Sequence, residues 1–266
     1  MTELQRIAIS PSQLQNGQIM LTPQQVHYLC RVLRLQEGDR FIVMDGMGKW
    51  WLAQLEGETA QVLESLVVET ELPIAVTLMV ALPKGQAFDD VVRYCTELGV
   101  IAMVPVMSDR TLLNPSPQKL ERWRRIAQEA AEQSERAIVP TILEPIAFSK
   151  AIVELTATHR YICEARGNLP HLQQSIHEIF HPNTSTRDSC PLKLVGEEMG
   201  ERLEEIILAT GPEGGWTQKE LESAIAAGFQ PVSLGRRIFR AVTAPIVALS
   251  LVAGELESVH ASIQDL

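Results

Sequence analysis

Residues 205–215 read EIILATGPEGG, and residues 231–240 read PVSLGRRIFR. In each stretch a short apolar run, typical of a strand that is covered on both faces, ends in a turn that contains glycine. Glycine at the end of a parallel strand lets a ligand approach the backbone closely, and a tight turn into a helix also favours glycine. From the pattern alone, ligand binding and a simple turn explain these stretches equally well. The chain contains neither a G-x-x-x-x-G-K-[ST] phosphate loop nor a G-x-G-x-x-G dinucleotide motif.

The sequence on either side places these two stretches in an alternating series of strands and helices. Further strands are predicted at residues 74–82, 100–106 and 160–163, and helices at residues 88–98, 117–136, 217–227 and 243–257. Alternation of this kind favours a mainly parallel sheet covered by helices. We therefore predict an α/β domain over residues 73–266.

The first 72 residues follow a different pattern. Short β-prone runs occur at residues 7–9, 40–44 and 51–55, and the dipeptides Asp45-Gly46 and Glu56-Gly57 are typical of the turns between such strands. Thr22 can cap a helix whose first residue is Pro23. This pattern predicts a separate small β-barrel domain over residues 1–72.

Composition excludes several classes of protein. The 266 residues are 45% hydrophobic and 21% charged, which is typical of a globular chain rather than a disordered one. The net charge of −10 argues against a uniformly basic nucleic-acid binder, so a polyanionic partner must be bound by local basic patches.

The sequence shows neither a signal peptide nor an apolar window of the ~18 residues that a membrane span needs, which predicts a cytoplasmic protein without a membrane partner. The four cysteines have no C-x-x-C spacing and do not indicate a disulfide framework or a zinc knuckle.

Residues 177–181, HEIFH, match the H-E-x-x-H pattern of zinc peptidases. Zinc binding needs both histidines on one helical face, but Pro182 biases His181 away from helical geometry. We therefore interpret the match as accidental, with His177 near a helix C-terminus, and we expect no metal.

Three arginines, Arg236, Arg237 and Arg240, follow Gly235 with no acidic residue among them. In an acidic protein this cluster favours a site for phosphate or carboxylate. The alternative is pairing with the acidic residues between positions 197 and 205.

Together these stretches resemble the SPOUT methyltransferases, and most closely the RsmE family of small-subunit rRNA uridine-N3 methyltransferases. The resemblance lies in residues 210–215, in the pattern L-G-x-R-I-F-R-x-x-T-A over residues 234–244, in TELGV at residues 96–100, in EAxEQSxR at residues 129–136 with Pro140, and in His27, Val32-Leu33-Arg34, Gly38-Asp39 and Asp45-Gly46-x-Gly48. These motifs follow the order of the family over nearly the whole chain.

The resemblance implies a PUA-like N-terminal barrel and a C-terminal α/β domain that is tied in a trefoil knot. It also implies a homodimer that uses S-adenosyl-L-methionine to methylate N3 of a uridine in 16S rRNA of the small ribosomal subunit.

Site residues follow from the same resemblance, position by position. The residues implied to bind the cofactor are Cys163, Glu164, Thr210, Gly211, Pro212, Glu213, Gly214, Gly215, Leu234, Gly235, Ile238, Phe239 and Arg240. The candidates for catalysis are Arg240, Arg136 and Glu213, and the general base is left open between Glu213 and Glu164. The candidates for RNA contact are Arg6, Arg31, Arg34 and Arg110.

Two positions depart from the family pattern. Val242 stands where the family has glutamate, and Tyr94 stands where lysine is common. The loss of a carboxylate at position 242 motivates an alternative function, a non-catalytic RNA-binding protein of ribosome assembly on the same fold. A second alternative is a SPOUT enzyme that methylates a ribose 2′-hydroxyl.

Overall fold

The computed structural model describes residues 4–111, 115–180 and 204–264, with side chains up to residue 258. The chain divides into two compact units. The first comprises Met1–Glu71 and Gln128–Val139, and the second comprises Leu72–Ala127 and Pro140–Leu266. Sequence analysis placed the segment Gln128–Val139 in the second domain. The boundary between residues 72 and 73 stays a prediction.

The first unit is built on one six-stranded sheet with the strand order β1-β4-β5-β6-β3-β2. The strands are β1 (Arg6–Ala8), β2 (Leu14–Gln15), β3 (Gln18–Met20), β4 (Arg40–Met44), β5 (Trp50–Glu56) and β6 (Thr59–Leu66). Alternate residues such as Phe41 and Val43 are fully buried and form the core together with Leu29 and Leu55. The Thr22 hydroxyl caps α1 (Pro23–His27) as predicted, accepting from the Gln25 amide at 3.2 Å. The helix continues as a π-helical turn over Tyr28–Val32.

The second unit contains a sheet in the order β10-β8-β7-β12-β11-β13, with β9 paired to β8, and every pair is parallel. The strands are β7 (Ala75–Ala81), β8 (Ala102–Met107), β9 (Thr141–Ile142), β10 (Ile146–Ala147), β11 (His159–Cys163), β12 (Glu205–Thr210) and β13 (Gln230–Val232). Because the strands are parallel, the loops that follow them all leave from the same edge of the sheet. Ligands of open α/β sheets bind at this edge.

Helices cover this sheet. They are α2 (Ala87–Glu97), α3 (Pro117–Gln133), α4 (Phe148–Glu154), α5 (Leu172–Phe180), α6 (Gln218–Ala226) and α7 (Thr243–Gln264). Helix α3 ends earlier than residue 136 because Glu135 has a φ of 59°, which is incompatible with a right-handed helix. Within the described residues, no helix is both long and apolar enough to span a membrane.

Candidate functional site

Three loops at the carboxyl edge of the second sheet are neighbours in space. Strand β11 lies between β12 and β13, so the loops after Cys163, Thr210 and Val232 leave side by side. The Glu164 amide donates to the Val232 carbonyl at 2.9 Å, which extends the pairing beyond the strand ends. We call these loops, over residues 163–170, 210–217 and 233–240, the three-loop edge. The structure thus brings together the three segments that were predicted to hold a cofactor.

The loop after β12 is a tight turn packed against a tryptophan. The Gly215 amide donates to the Pro212 carbonyl at 2.8 Å, and Gly215 has a φ of +68°. A Cβ on Gly211 would lie 3.3 Å from Cε2 of Trp216. The Trp216 indole N–H donates to the Cys163 carbonyl at 3.2 Å and joins this loop to the end of β11. Glycine at position 211 is therefore required for a close approach of the chain to the indole ring.

Thr210 and Cys163 end their strands as buried residues. The Thr210 hydroxyl is fully buried, and within the described chain it has no hydrogen-bond partner. Buried polar atoms in proteins are nearly always hydrogen-bonded, and a polar group of a ligand can supply the hydrogen bond that the Thr210 hydroxyl lacks. Burial raises the pKa of the Cys163 thiol to about 12, so this cysteine is protonated at neutral pH and is not a nucleophile.

Glu213 and Glu164, the candidates for general base, both accept hydrogen bonds from backbone amides. Glu213 Oε1 accepts from the Lys84 amide at 2.8 Å, which ties the loop after β12 to the loop after β7. Glu164 Oε1 accepts from the Arg166 amide at 2.9 Å. Each contact gives the carboxylate a role in shaping its loop, and the base function of both residues stays a prediction.

The loop after β13 combines a glycine at positive φ with exposed side chains. Gly235 has a φ of +123°, and its amide donates to the Ser233 hydroxyl at 3.1 Å. Ile238 is 71% exposed, whereas Leu234 and Phe239 are half-buried. Exposed apolar surface next to such a turn is typical of a ligand-binding loop. Arg240 is exposed, and no described carboxylate forms an ion pair with it.

Arg110, predicted to contact RNA, lies against the loop after β12. Its guanidinium donates to the Gly214 carbonyl and, at 3.5 Å, to the Gly215 carbonyl. A Cβ on Gly214 would lie 3.0 Å from Cδ of Arg110, so glycine makes room for the arginine stem. The buried Glu220 adds a second link, because it accepts from the Asp109 amide at 2.8 Å. Sequence reasoning missed this bracing role because the partners are 104 residues apart along the chain.

Arg136 and Arg6, by contrast, have partners inside the first unit. Arg136 is 2% exposed and forms an ion pair with Glu71, whose other oxygen accepts from the Ile138 amide at 3.0 Å. Arg6 pairs with Glu135 at 2.8 Å, and its side chain is 17% exposed. These contacts explain both arginines structurally. The catalytic role of Arg136 and the RNA contact of Arg6 stay predictions, and both guanidiniums are already engaged by carboxylates.

Arg31 and Arg34 remain the candidates for RNA contact in the first unit. Both are exposed on or next to the π-helical turn, and no described carboxylate pairs with them. Tyr28, 40% exposed, and Val32, 58% exposed, lie on the same turn. Aromatic and basic side chains presented together are typical of surfaces that bind single-stranded RNA. Sequence analysis did not select Tyr28, although its position three residues before Arg31 was a usable signal.

The H-E-x-x-H match has a different outcome at each histidine. His177 Nδ1 lies 2.5 Å from Oε1 of Glu255, so a contact between α5 and α7 accounts for it. His181 lies outside the described residues. Among the residues that the structure describes, no group of three His, Cys, Asp or Glu side chains is placed to hold a metal ion.

Comparison with known proteins decides the family. A family model described as "RNA methyltransferase domain" matches residues 70–253, and one described as "RNA methyltransferase PUA domain" matches residues 21–63. A protein of Synechocystis sp. named "Ribosomal RNA small subunit methyltransferase E" is 46% identical to this chain over 258 residues, which is 95% of this chain and 78% of that protein. The chain belongs to this methyltransferase E family.

Two further members extend the comparison. The methyltransferase E of Bacillus subtilis is 28% identical over 246 residues, covering 89% of this chain and 90% of that protein. The crystal structure of the methyltransferase E of Neisseria gonorrhoeae bound to S-adenosyl methionine has a TM-score of 0.75 and 29% identity, covering 93% of this chain and 96% of that one. The predicted membership of the RsmE family is confirmed. The predicted fold class, a PUA-like N-terminal domain followed by a SPOUT α/β methyltransferase domain, is confirmed as well.

Proposed function

We propose that this member of the methyltransferase E family, an S-adenosyl-L-methionine-dependent rRNA methyltransferase, methylates N3 of a uridine in 16S rRNA. The observation that carries the proposal is the three-loop edge: it gathers the segments expected to hold the cofactor in a chain whose relatives are named as small-subunit rRNA methyltransferases. We further propose that the protein acts as a homodimer in the cytoplasm, where it meets the small ribosomal subunit.

The residues at the three-loop edge fit the cofactor. The buried Thr210 hydroxyl offers a hydrogen-bonding group to a polar atom, and Gly235 leaves the backbone accessible. Leu234 and Ile238 supply apolar surface suited to an adenine ring. When bound, S-adenosyl-L-methionine supplies an electrophilic methyl group on a sulfonium.

The chain's own residues must handle the proton and the charge on the uridine. Methylation of N3 requires loss of the imide proton, which gives the ring anionic character. We assign Arg240 to stabilising that charge, because its exposed guanidinium is on the loop that borders the cofactor segments. Glu213 and Glu164 remain the candidates to accept the proton. Holding N3 in line with the methyl group supplies the rest of the rate enhancement.

The decisive experiment is mass spectrometry of nucleosides from 16S rRNA. We expect rRNA from a strain that lacks the gene to have one 3-methyluridine fewer, and the purified protein to restore it in vitro. Restoration of a 2′-O-methylated nucleoside instead would support ribose methylation. RNA binding without any methyl transfer would support the non-catalytic alternative.

We expect the variant Arg31→Ala/Arg34→Ala to bind 16S rRNA more weakly while its affinity for S-adenosyl-L-methionine is unchanged. If both arginines contact phosphates, the slope of log affinity against log salt falls by about 1.4, since each single-stranded contact contributes about 0.7. Filter binding over a salt series measures the slope, and calorimetry measures cofactor binding. An unchanged slope would remove the first unit's arginines from the RNA interface.

We expect Arg110→Ala to weaken cofactor binding by about tenfold, because one lost charge-assisted hydrogen bond of roughly 1.5 kcal/mol frees the Gly214–Gly215 carbonyls. Arg110→Lys, which retains a donor, should recover part of the affinity. Arg124→Ala is the control, since Arg124 is similarly exposed but pairs with Glu121 on α3. If Arg110→Ala lowers RNA affinity and leaves cofactor affinity unchanged, the original interpretation as an RNA contact is correct.

A further inference from the structure

Two groups of arginines in the second unit differ in their partners. On α2 and α3, arginines pair with carboxylates of the same or a neighbouring helix: Arg93 with Asp90, Arg122 with Asp89 and Arg124 with Glu121. A second group is exposed, and within the described residues none of its members lies within ion-pair distance of a carboxylate. This group consists of Arg166, Arg236, Arg237 and Arg240. Arg110 is also exposed and has no such carboxylate, but it is set apart because its guanidinium donates to the Gly214 and Gly215 carbonyls.

All four unpaired arginines lie at the three-loop edge. Arg166 follows β11, and the other three follow β13, the strand that pairs with β11. The carboxylates on these loops, Glu164 and Glu213, accept hydrogen bonds from the amides of Arg166 and Lys84. In a chain of net charge −10, one edge of one sheet therefore concentrates exposed positive charge.

The cofactor does not account for this much positive charge. S-adenosyl-L-methionine carries one carboxylate together with an ammonium and a sulfonium, so it offers at most one anionic group to four guanidiniums. Guanidiniums close to one another in a protein are stabilised by anions, and phosphate is a preferred partner of arginine. Once Arg240 is assigned to the reacting base, Arg166, Arg236 and Arg237 still have no carboxylate partner among the residues that the structure describes.

The acidic residues between positions 197 and 205 are the alternative partner for these arginines, in place of phosphate. Positions 197–203 lie outside the described residues, but Glu205 is the first residue of β12 and Thr210 is the last. At about 3.3 Å per residue, the strand separates Glu205 from the three-loop edge by roughly 17 Å. The described end of the acidic run is thus at the opposite edge of the sheet.

We propose that Arg166, Arg236 and Arg237 form a phosphate-binding surface for the substrate RNA beside the cofactor loops. Through this surface the second unit binds the RNA backbone next to the reacting uridine. These contacts add to those expected from the first unit. This inference rests on the proposed function, because it takes RNA as the polyanion.

The test is a salt series with unmodified 16S rRNA transcribed in vitro. We expect Arg236→Ala/Arg237→Ala to lower RNA affinity about tenfold at 0.1 M salt and to reduce the salt slope by about 1.4. Adding Arg166→Ala should reduce the slope by about 0.7 more. The variant Arg236→Lys/Arg237→Lys retains the charges and should keep most of the slope, which a purely structural role for the arginines would not predict.

The matched control removes two positive charges from arginines that already have partners. Arg93→Ala/Arg124→Ala changes the net charge equally, and the two side chains are 45% and 43% exposed. We expect its salt slope to stay close to that of the wild-type protein. An equal loss of slope in this control would mean that net charge, not a local surface, governs binding.

Three other results would overturn the inference. One is unchanged RNA affinity in Arg236→Ala/Arg237→Ala. The second is a loss of cofactor affinity in calorimetry that parallels the loss of RNA affinity, which would assign the arginines to the cofactor. The third is a change of sedimentation coefficient, which would assign them to contacts with a second copy of the chain. The proposed function is judged separately, by whether the wild-type protein forms 3-methyluridine in the same RNA.

Discussion

The variant Gly235→Val is expected to lose cofactor binding by about 100-fold or more while the protein stays folded. Gly235 has a φ of +123°, a region that residues with a side chain, and β-branched ones above all, rarely adopt. A Cβ there would find its nearest neighbour, His171 Nε2, only at 3.9 Å, so the effect arises from the backbone and not from crowding. Relief of about 1–3 kcal/mol of strain would shift the loop after β13, in which Leu234, Ile238 and Phe239 are predicted to border the cofactor.

Gly57→Val is the matched control. Gly57 has a φ of +63° in the turn between β5 and β6, and nothing lies within 4 Å of its added Cβ. The substitution also places a β-branched residue at a positive φ, but in the first unit, where we expect no effect on cofactor affinity. Calorimetry with S-adenosyl-L-methionine, together with thermal unfolding of both variants, separates the two outcomes. Unchanged affinity in a folded Gly235→Val protein would show that the loop after β13 does not bind the cofactor.

The strands and turns that build the candidate site could be predicted from local sequence. An apolar run followed by glycine identifies the ends of β12 and β13. Burial on both faces selects apolar residues, and a tight turn selects glycine, so both features can be recognised in the local sequence. The position of β11 between those two strands cannot be recognised in the local sequence. Strand order depends on pairing between segments far apart in the chain, such as Tyr161 with Leu208 and with Gln230.

The roles of individual arginines were harder to predict for the same reason. Arg136 pairs with Glu71, 65 residues away, and Arg110 contacts Gly214, 104 residues away. A sequence shows that an arginine is present but not whether a distant carboxylate or carbonyl already engages it. Arg31, Arg34 and Arg240 are exposed, as their predicted roles require, and those roles stay predictions.

Arg240→Ala is expected to lower kcat for methyl transfer by about 100-fold, a larger effect than its effect on RNA affinity. Removal of one positioned donor that stabilises a developing negative charge typically has an effect of about this size. The Arg240 carbonyl accepts from the Thr243 and Ala244 amides at 2.9 Å, so the backbone is anchored at the start of α7 and survives truncation of the side chain. Arg240→Lys should restore part of the rate, because the positive charge remains but the planar guanidinium does not.

Single-turnover measurements at saturating RNA and cofactor isolate the effect of Arg240 on chemistry. Arg236→Ala, on the same loop, is the informative comparison, since we expect it to raise the KM for RNA and to leave the single-turnover rate at saturation near the wild-type value. Val242, two residues after Arg240, stands where the family pattern has glutamate, so position 242 offers Arg240 no carboxylate. A full rate for Arg240→Ala at saturation, or a loss confined to KM, would place Arg240 with the phosphate-binding arginines and leave another group to stabilise the uridine anion.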